Sequence, residues 1–175
     1  RIQFTPDVLP SDITGFSIFH RETGAMEYQP GAAICNLLLA DEINRASSRT
    51  QSALLEAMEE GSVTVDGVTH LIPQPFTVIA TQNPTGSAGT QLLPDSQLDR
   101  FMMRLSIGYP EPAAEREMLR RKHGENHGQA VRKVADAAAL LTMRDEVSKV
   151  FVHEELYDYI VRLARATREH KSIRQ

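Results

Sequence analysis

Apolar and polar positions change rhythm several times along the chain, and each rhythm predicts a different element. Arg1 to Thr5 alternates and stops at Pro6, which predicts a strand. Ser11-Asp12 offers a cap for a short helical turn. From Phe16 to Tyr28 two β-prone pieces flank Glu22-Thr23-Gly24, predicting a projecting hairpin. Leu37 to Ala40 is an unbroken apolar run, the pattern of a parallel strand buried on both faces. Ser48-Arg49-Thr50-Gln51 has the spacing of a capping box and opens a helix carrying Leu54, Leu55 and Met58 on one side, with Gly61 as its stop. Val63-Thr64-Val65 and Val68-Thr69-His70 flank Asp66-Gly67, the dipeptide of a tight hairpin. Phe76 to Ala80 reads as a second apolar strand and Leu105 to Tyr109 as a third. Between them lie a Gly/Ser/Pro-rich loop, Pro84 to Pro94, and a short helix, Asp95 to Met103.

The rhythm changes again after Pro110-Glu111-Pro112. Helices are expected over Ala113 to His123, about Ala135 to Lys149, and Glu154 to Glu169, the last with Leu156, Ile160, Leu163 and Ala164 at helical spacing. The fold class is therefore α/β, with residues 1–111 as an α/β core and 112–175 as part of an all-helical domain. With 41% apolar residues the 175-residue chain can bury a core, and it is neither disordered nor membrane-spanning by composition. Its 19 Lys and Arg against 23 Asp and Glu give a net charge of -4, so nothing global draws it to nucleic acid or to anionic membrane. The single cysteine, Cys35, forms no intrachain disulfide and lies in an apolar run, as a buried core thiol does. No apolar leader precedes the first strand, and a cytoplasmic parent is expected, of which both chain ends read as cuts.

Candidate chemistry gathers in three places. Leu37-Leu38-Leu39-Ala40 runs into Asp41-Glu42, placing two carboxylates at the carboxyl edge of a parallel sheet, where open α/β folds bind ligands. In phosphoryl transfer the first acid of such a pair holds Mg²⁺, usually through water, and the second polarises the attacking water. Val78-Ile79-Ala80-Thr81-Gln82-Asn83-Pro84 is an apolar strand ending in amides, and beside the first it would bring Asn83 near Glu42. Gln97-Leu98-Asp99-Arg100-Phe101 offers Arg100, with Arg104 a weaker candidate, as a guanidinium supplied to a neighbouring subunit, typically worth ~10³–10⁵ in rate. Each has a plainer reading: an acidic strand end, an Asn-Pro turn, a solvated ion pair. Their order is what distinguishes them.

That order resembles the AAA+ ATPases: Walker B at Asp41-Glu42, a hairpin, sensor 1 at Asn83, then an arginine finger at Arg100. The wording is closest to the MoxR branch, through Arg1-Ile2-Gln3-Phe4-Thr5-Pro6-Asp7, Leu9-Pro10-Ser11-Asp12-Ile13-Thr14-Gly15, Leu38 to Ala46, Thr50 to Met58 and Ile79-Ala80-Thr81-Gln82-Asn83-Pro84. The likeness is strong to about residue 112 and looser in the helical remainder. It implies a P-loop-type parallel sheet followed by a helical lid, with the Phe16 to Tyr28 hairpin as the helix-2 insert of this clade. It further implies Mg²⁺-dependent ATP hydrolysis at the subunit interfaces of a hexameric ring. Chaperone-like remodelling of client proteins, and a partner with a von Willebrand factor A domain, follow from the same likeness. Asp41 would bind the metal, mainly through water; Glu42 would activate water, Asn83 sense the γ-phosphate, and Arg100 serve the neighbour.

Departures limit what the 175 residues do alone. No Gly-x-x-x-x-Gly-Lys-[Ser/Thr] loop occurs in them. The resemblance puts that loop and its strand before residue 1, and the second sensor arginine after the present end, so the segment alone is expected to be inactive. The loop Thr85-Gly86-Ser87-Ala88 is smaller and less acidic than the family's wording. Two other classes compete: a non-enzymatic scaffold fragment, and a nucleic-acid helicase, against which stand the acidic balance and the lack of a helicase-type arginine motif. His123-Gly124-Glu125-Asn126-His127 lacks metal-ligand spacing and reads as a solvated loop, and the basic run Arg116 to Lys122 as a solvated face. The tips near Thr23-Gly24 and Asp66-Gly67 are candidates for contact with a client or a ring neighbour.

Overall fold

The structure, a computed structural model, describes residues 1–83, 92–123, 132–170 and 172–173. In chain order the first elements are β1 (Ile2–Gln3), α1 (Pro10–Thr14), β2 (Gly15–His20), β3 (Ala25–Pro30), β4 (Leu37–Asp41) and α2 (Ser48–Glu60). Then come β5 (Ser62–Val65), β6 (Val68–Leu71), β7 (Thr77–Ala80), α3 (Asp95–Leu98), α4 (Pro112–His123), α5 (Ala137–Ser148) and α6 (Glu154–Glu169). Tertiary packing divides the chain into two compact units, Arg1–Arg132 and Lys133–Gln175. The compositional change at residue 111 falls inside the first.

In the first unit β4 lies between β1 and β7 in a three-stranded parallel sheet. Parallel neighbours need long crossovers, and here each crossover carries a hairpin: β2–β3 between β1 and β4, β5–β6 between β4 and β7. Leu38 and Ala40 point into a core shared with Phe4, Ile13, Ile43, Leu54, Ala57 and Val63. The expectation that β4 is buried on both faces does not hold. Leu37 is 61% exposed and Ile79 on β7 is 53% exposed, because the described elements pack on the Leu38 face only. Cys35 is half-buried at the core's margin, its thiol donating to the Ala32 carbonyl.

Both hairpins form where expected. Asp66 (φ 50) and Gly67 (φ 77) take the left-handed conformations that a two-residue turn between β5 and β6 demands. At the root of the β2–β3 hairpin the chain closes on itself without clearance. A Cβ on Gly31 would lie 2.3 Å from both the Ile13 carbonyl oxygen and the Gly15 nitrogen. Tyr28, on β3, donates its hydroxyl to the Thr14 carbonyl at 2.5 Å, and its ring stacks on His70 of β6 with centroids 3.6 Å apart.

Three local expectations are corrected. The helix cap at Ser11-Asp12 works differently: α1 starts at Pro10, and Asp12 reaches back to accept the Leu9 backbone N–H at 2.8 Å. The capping residue of α2 is Ser47, not Ser48; its hydroxyl oxygen accepts from the Thr50 N–H at 3.2 Å. Gln51 is thereby turned inward, donating to the carbonyls of Ile43 (3.3 Å) and Ala46 (3.1 Å). Leu105 to Tyr109 is not a strand. Among the described residues it has no ladder partner, and Leu105, Ile107 and Tyr109 are exposed. A β-prone pattern without a neighbour to pair with cannot satisfy its backbone as sheet. Gly61 ends α2 in the left-handed conformation, as predicted. The expected loop at 84–94 lies largely, and Gly124 to His127 wholly, outside the described residues.

In the second unit α5 and α6 form as predicted, α5 capped by the Asp136 carboxylate, which accepts from the Ala139 N–H. The apolar stripe of α6 is only partly covered: Leu156, Ile160 and Leu163 all remain more than half exposed.

Two outcomes follow for stability. Gly31→Ala forces backbone against backbone and should cost about 3 kcal/mol, whereas Gly24→Ala, with φ 66 but open space around it, should cost ~1 kcal/mol; thermal unfolding of the two variants compares them. Burial raises the Tyr28 phenol above its ordinary pKa. A raised folded-state value means the contribution is complete below the unfolded pKa and is lost as pH climbs through the folded one. The stability difference between the native protein and Tyr28→Phe should therefore shrink above about pH 10, as denaturant titrations across alkaline pH would record.

Candidate functional site

β4 delivers Asp41 and Glu42 to the carboxyl edge of the sheet, and the neighbouring strands decide what surrounds them. On one side Gln3 of β1 is in register with Asp41. On the other, Ala80 of β7 is in register with Ala40, so that Thr81 comes alongside Asp41. The Thr81 hydroxyl donates to Asp41 Oδ1 at 2.5 Å and accepts the backbone N–H of Glu42 at 2.9 Å. Its carbonyl accepts from Ile43 N at 3.0 Å, and its own N–H donates to the Ala40 carbonyl at 2.9 Å.

Held in this way, the chain turns sharply. Glu42 sits at φ 55, ψ 47, a left-handed conformation uncommon for a residue with a Cβ, and opens the short helical turn Ile43–Arg45. Its carboxylate stays partly open to solvent, with a side-chain exposure of 29%, and one oxygen accepts from Gln3 Nε2 (3.1 Å) and Arg45 Nη1 (3.0 Å). Asp41 Oδ2 meets the Arg1 guanidinium at 2.5 Å. The Thr81 hydrogen bond first, and Arg1 after it, hold the Asp41 carboxyl below its ordinary pKa.

Asn83 reaches this edge through Asn44, which is fully buried on the helical turn after Glu42. The Asn44 side chain donates to the Asn83 carbonyl (3.1 Å) and accepts from the Asn83 N–H (3.3 Å). A side-chain amide thus reads a backbone amide on both sides, fixing the end of β7 against the turn that follows β4. The strand end that carries Asn83 is therefore fastened to the turn that follows Asp41 and Glu42.

Arg100 does not join them. Its guanidinium pairs with Glu59, in the last turn of α2. The end of α2 nearest the acids is marked by Gln51, bound to the Ile43 and Ala46 carbonyls. Gln51 and Glu59 are eight positions apart on the helix, roughly 12 Å along the axis at 1.5 Å per residue. Arg104 is exposed.

The donor set suits a hard cation with few protein ligands. Among the described residues no group of three or more His, Cys, Asp or Glu side chains is placed to hold a metal, so this edge is no closed cage. Asp41, with Glu42 beside it, fits Mg²⁺ instead, which keeps several waters and takes one or two carboxylates together with phosphate oxygens. Sequence reasoning passed over Thr81, Asn44, Gln3 and Arg45 as individual residues. The usable signal was that each polar residue immediately follows or faces the end of an apolar strand.

Comparison with known proteins agrees with this geometry. A sequence model of the ATPase family associated with various cellular activities (AAA) matches residues 1–103. The chain is 47% identical over 173 residues to the Bacillus subtilis uncharacterized protein YeaC, covering 99% of the chain and 54% of that protein. It is 43% identical over 173 residues to the Mycobacterium tuberculosis chaperone MoxR1, covering 99% of the chain and 45% of that protein. The chain thus spans about half the length of the curated relatives it matches. A crystal structure of a Cytophaga hutchinsonii protein, described as a "putative ATPase", superposes with a TM-score of 0.80 at 43% identity, covering 95% of this chain and 50% of that one. The parallel sheet with two acids at its carboxyl edge, the matched family and these relatives lead to one conclusion: the chain belongs to the AAA+ ATPases, in their MoxR branch.

Proposed function

We propose that the full-length protein hydrolyses ATP at the edge built by Asp41, Glu42 and Asn83, and that it does so at contacts between subunits of a ring. The observation that carries this reading is the turn after β4, where one hydroxyl binds both Asp41 and the backbone of Glu42 while Asn83 is fastened beside them. Mg²⁺ bound with the nucleotide would neutralise phosphate charge, with Asp41 holding it mainly through water. Glu42 accepts the proton of the attacking water once its carboxylate is released from Gln3 and Arg45. Asn83, three residues beyond the end of β7, would sense the γ-phosphate of the bound nucleotide.

Arg100 serves the next subunit's site, since along its own α2 it is tied to Glu59, far from its own acids. Residues 1–111 form the hydrolytic core and 112–175 part of the lid. No phosphate-gripping glycine-lysine loop lies within the 175 residues, so this segment by itself binds no ATP, and isothermal calorimetry with Mg-ATP should register no heat of binding. Remodelling of a client protein is the use to which the likeness to a MoxR chaperone points. The tips at Thr23-Gly24 and Asp66-Gly67 are the surfaces offered to it, and a protein with a von Willebrand factor A domain is the expected partner.

Glu42→Gln in the full-length protein should leave ATP affinity intact and lower kcat by about 10²–10⁴-fold, the range for loss of a general base; undiminished turnover would remove Glu42 from that role. Arg100→Ala should lower kcat by about 10³-fold or more. Mixing the two inactive variants should restore part of the activity, because some interfaces then combine an intact Glu42 with a neighbour's intact Arg100. Steady-state phosphate release from the mixture measures it. Failure to recover any rate would place Arg100 outside the neighbour's site.

A further inference from the structure

Thr81 touches four consecutive residues, Ala40 to Ile43, with its N–H, hydroxyl and carbonyl. Two of those bonds, from its N–H and to its carbonyl, are backbone geometry that any residue other than proline could supply. The hydroxyl is different. A single oxygen donates to Asp41 Oδ1 (2.5 Å) and accepts from Glu42 N (2.9 Å). Only an atom that is donor and acceptor at once can do this, which restricts the position to serine or threonine among side chains of this length.

The bond to Asp41 fixes which carboxylate oxygen is occupied and so the rotation of the whole group. The bond from Glu42 N holds the main chain where Glu42 is left-handed, a conformation that residues with a Cβ rarely adopt. Without that acceptor the peptide can relax, and the Glu42 side chain, which is aimed by its backbone, relaxes with it. Neither Gln3 nor Arg45 can compensate, because both bind the far end of the Glu42 side chain rather than its root. Two residues further along the same strand end is Asn83, so the element carrying the amide is covalently the element that orients both acids.

From this juxtaposition we infer that Thr81 is a positioning residue for hydrolysis: its hydroxyl sets the orientation of Asp41 and Glu42 together, without touching the nucleotide. The inference rests on the hydrolytic reading above. It predicts a loss confined to the chemical step. In the full-length protein, Thr81→Val, close in shape but without the hydroxyl, lowers kcat on the order of 10²-fold, as a misplacement of about 1 Å does, with KM for ATP within about threefold of the native value. Thr81→Ser recovers most of that loss. In a Glu42→Gln background, adding Thr81→Val lowers kcat by a smaller factor than it does in the native protein, since one of the two groups it orients is already disabled.

Steady-state kinetics on these variants with Thr81→Ala, alongside nucleotide affinity by fluorescent ATP-analogue titration, separates the outcomes. The inference is upheld by a kcat-only loss in Val and Ala, recovered by Ser. It is overturned if Val or Ala turns over like the native enzyme, if Ser fails as badly as Val, or if the loss lies in nucleotide affinity or folding. Should Glu42→Gln alone retain full turnover, the hydrolytic reading itself falls, a result distinguishable because it does not involve Thr81.

Discussion

Parallel pairing of β4 with β7 in one register is the constraint on which the site depends. With Ala40 opposite Ala80, Thr81 falls beside Asp41 and Asn83 within reach of Asn44. A slip of one residue would turn Leu38 and Ala40 out of the core, as happens to every side chain of a strand that shifts by one. It would also separate each polar group from its partner. The apolar packing of Leu38 and Ala40 thus does two things: it buries surface, and it sets the position of atoms at the strand's end.

A second set of contacts ties the acidic turn to the body of the protein. Asn44 and Gln51 are nearly or wholly buried polar side chains, and each makes two hydrogen bonds, to Asn83 and to the Ile43 and Ala46 carbonyls respectively. Buried polar groups satisfied in this way are specific rather than strongly stabilising, because alternatives would leave them unpaired. They oblige the turn after β4 to take one shape. Thr50 adds to this from the same helix, donating its hydroxyl to the Val8 carbonyl at 2.8 Å and so holding the chain before α1.

What was legible in the sequence was local. Asp66-Gly67 names its turn, Gly61 its helix end, and Asp41-Glu42 its strand edge, because in each case the chemistry sits within a few residues. The cap of α2 lies one residue before the expected one because Ser48 has Gln51 at capping-box spacing, whereas the hydroxyl that accepts the Thr50 N–H is that of its neighbour Ser47. The choice is made by Gln51, whose partners precede the helix. Thr81 owes its role to strand register and was invisible one strand at a time. Arg100 was read beside Asp99, its neighbour in sequence, yet it pairs with Glu59, 41 positions away. Leu105 to Tyr109 has a strand's composition and lacks a strand's neighbour, a condition that composition cannot report.

The stack of Tyr28 on His70 has a mechanical meaning. The β2–β3 hairpin is rooted at a point where Gly15 and Gly31 leave no room for a side chain. The β5–β6 hairpin grows directly from the end of α2, since Ser62 follows Gly61 and the Ile72 N–H closes back onto the Gly61 carbonyl at 2.9 Å. Face-to-face rings join the two. The two arms are therefore braced against each other by one ring contact, and the second is continuous with α2, whose opposite end is bonded through Gln51 to the turn that follows the acids.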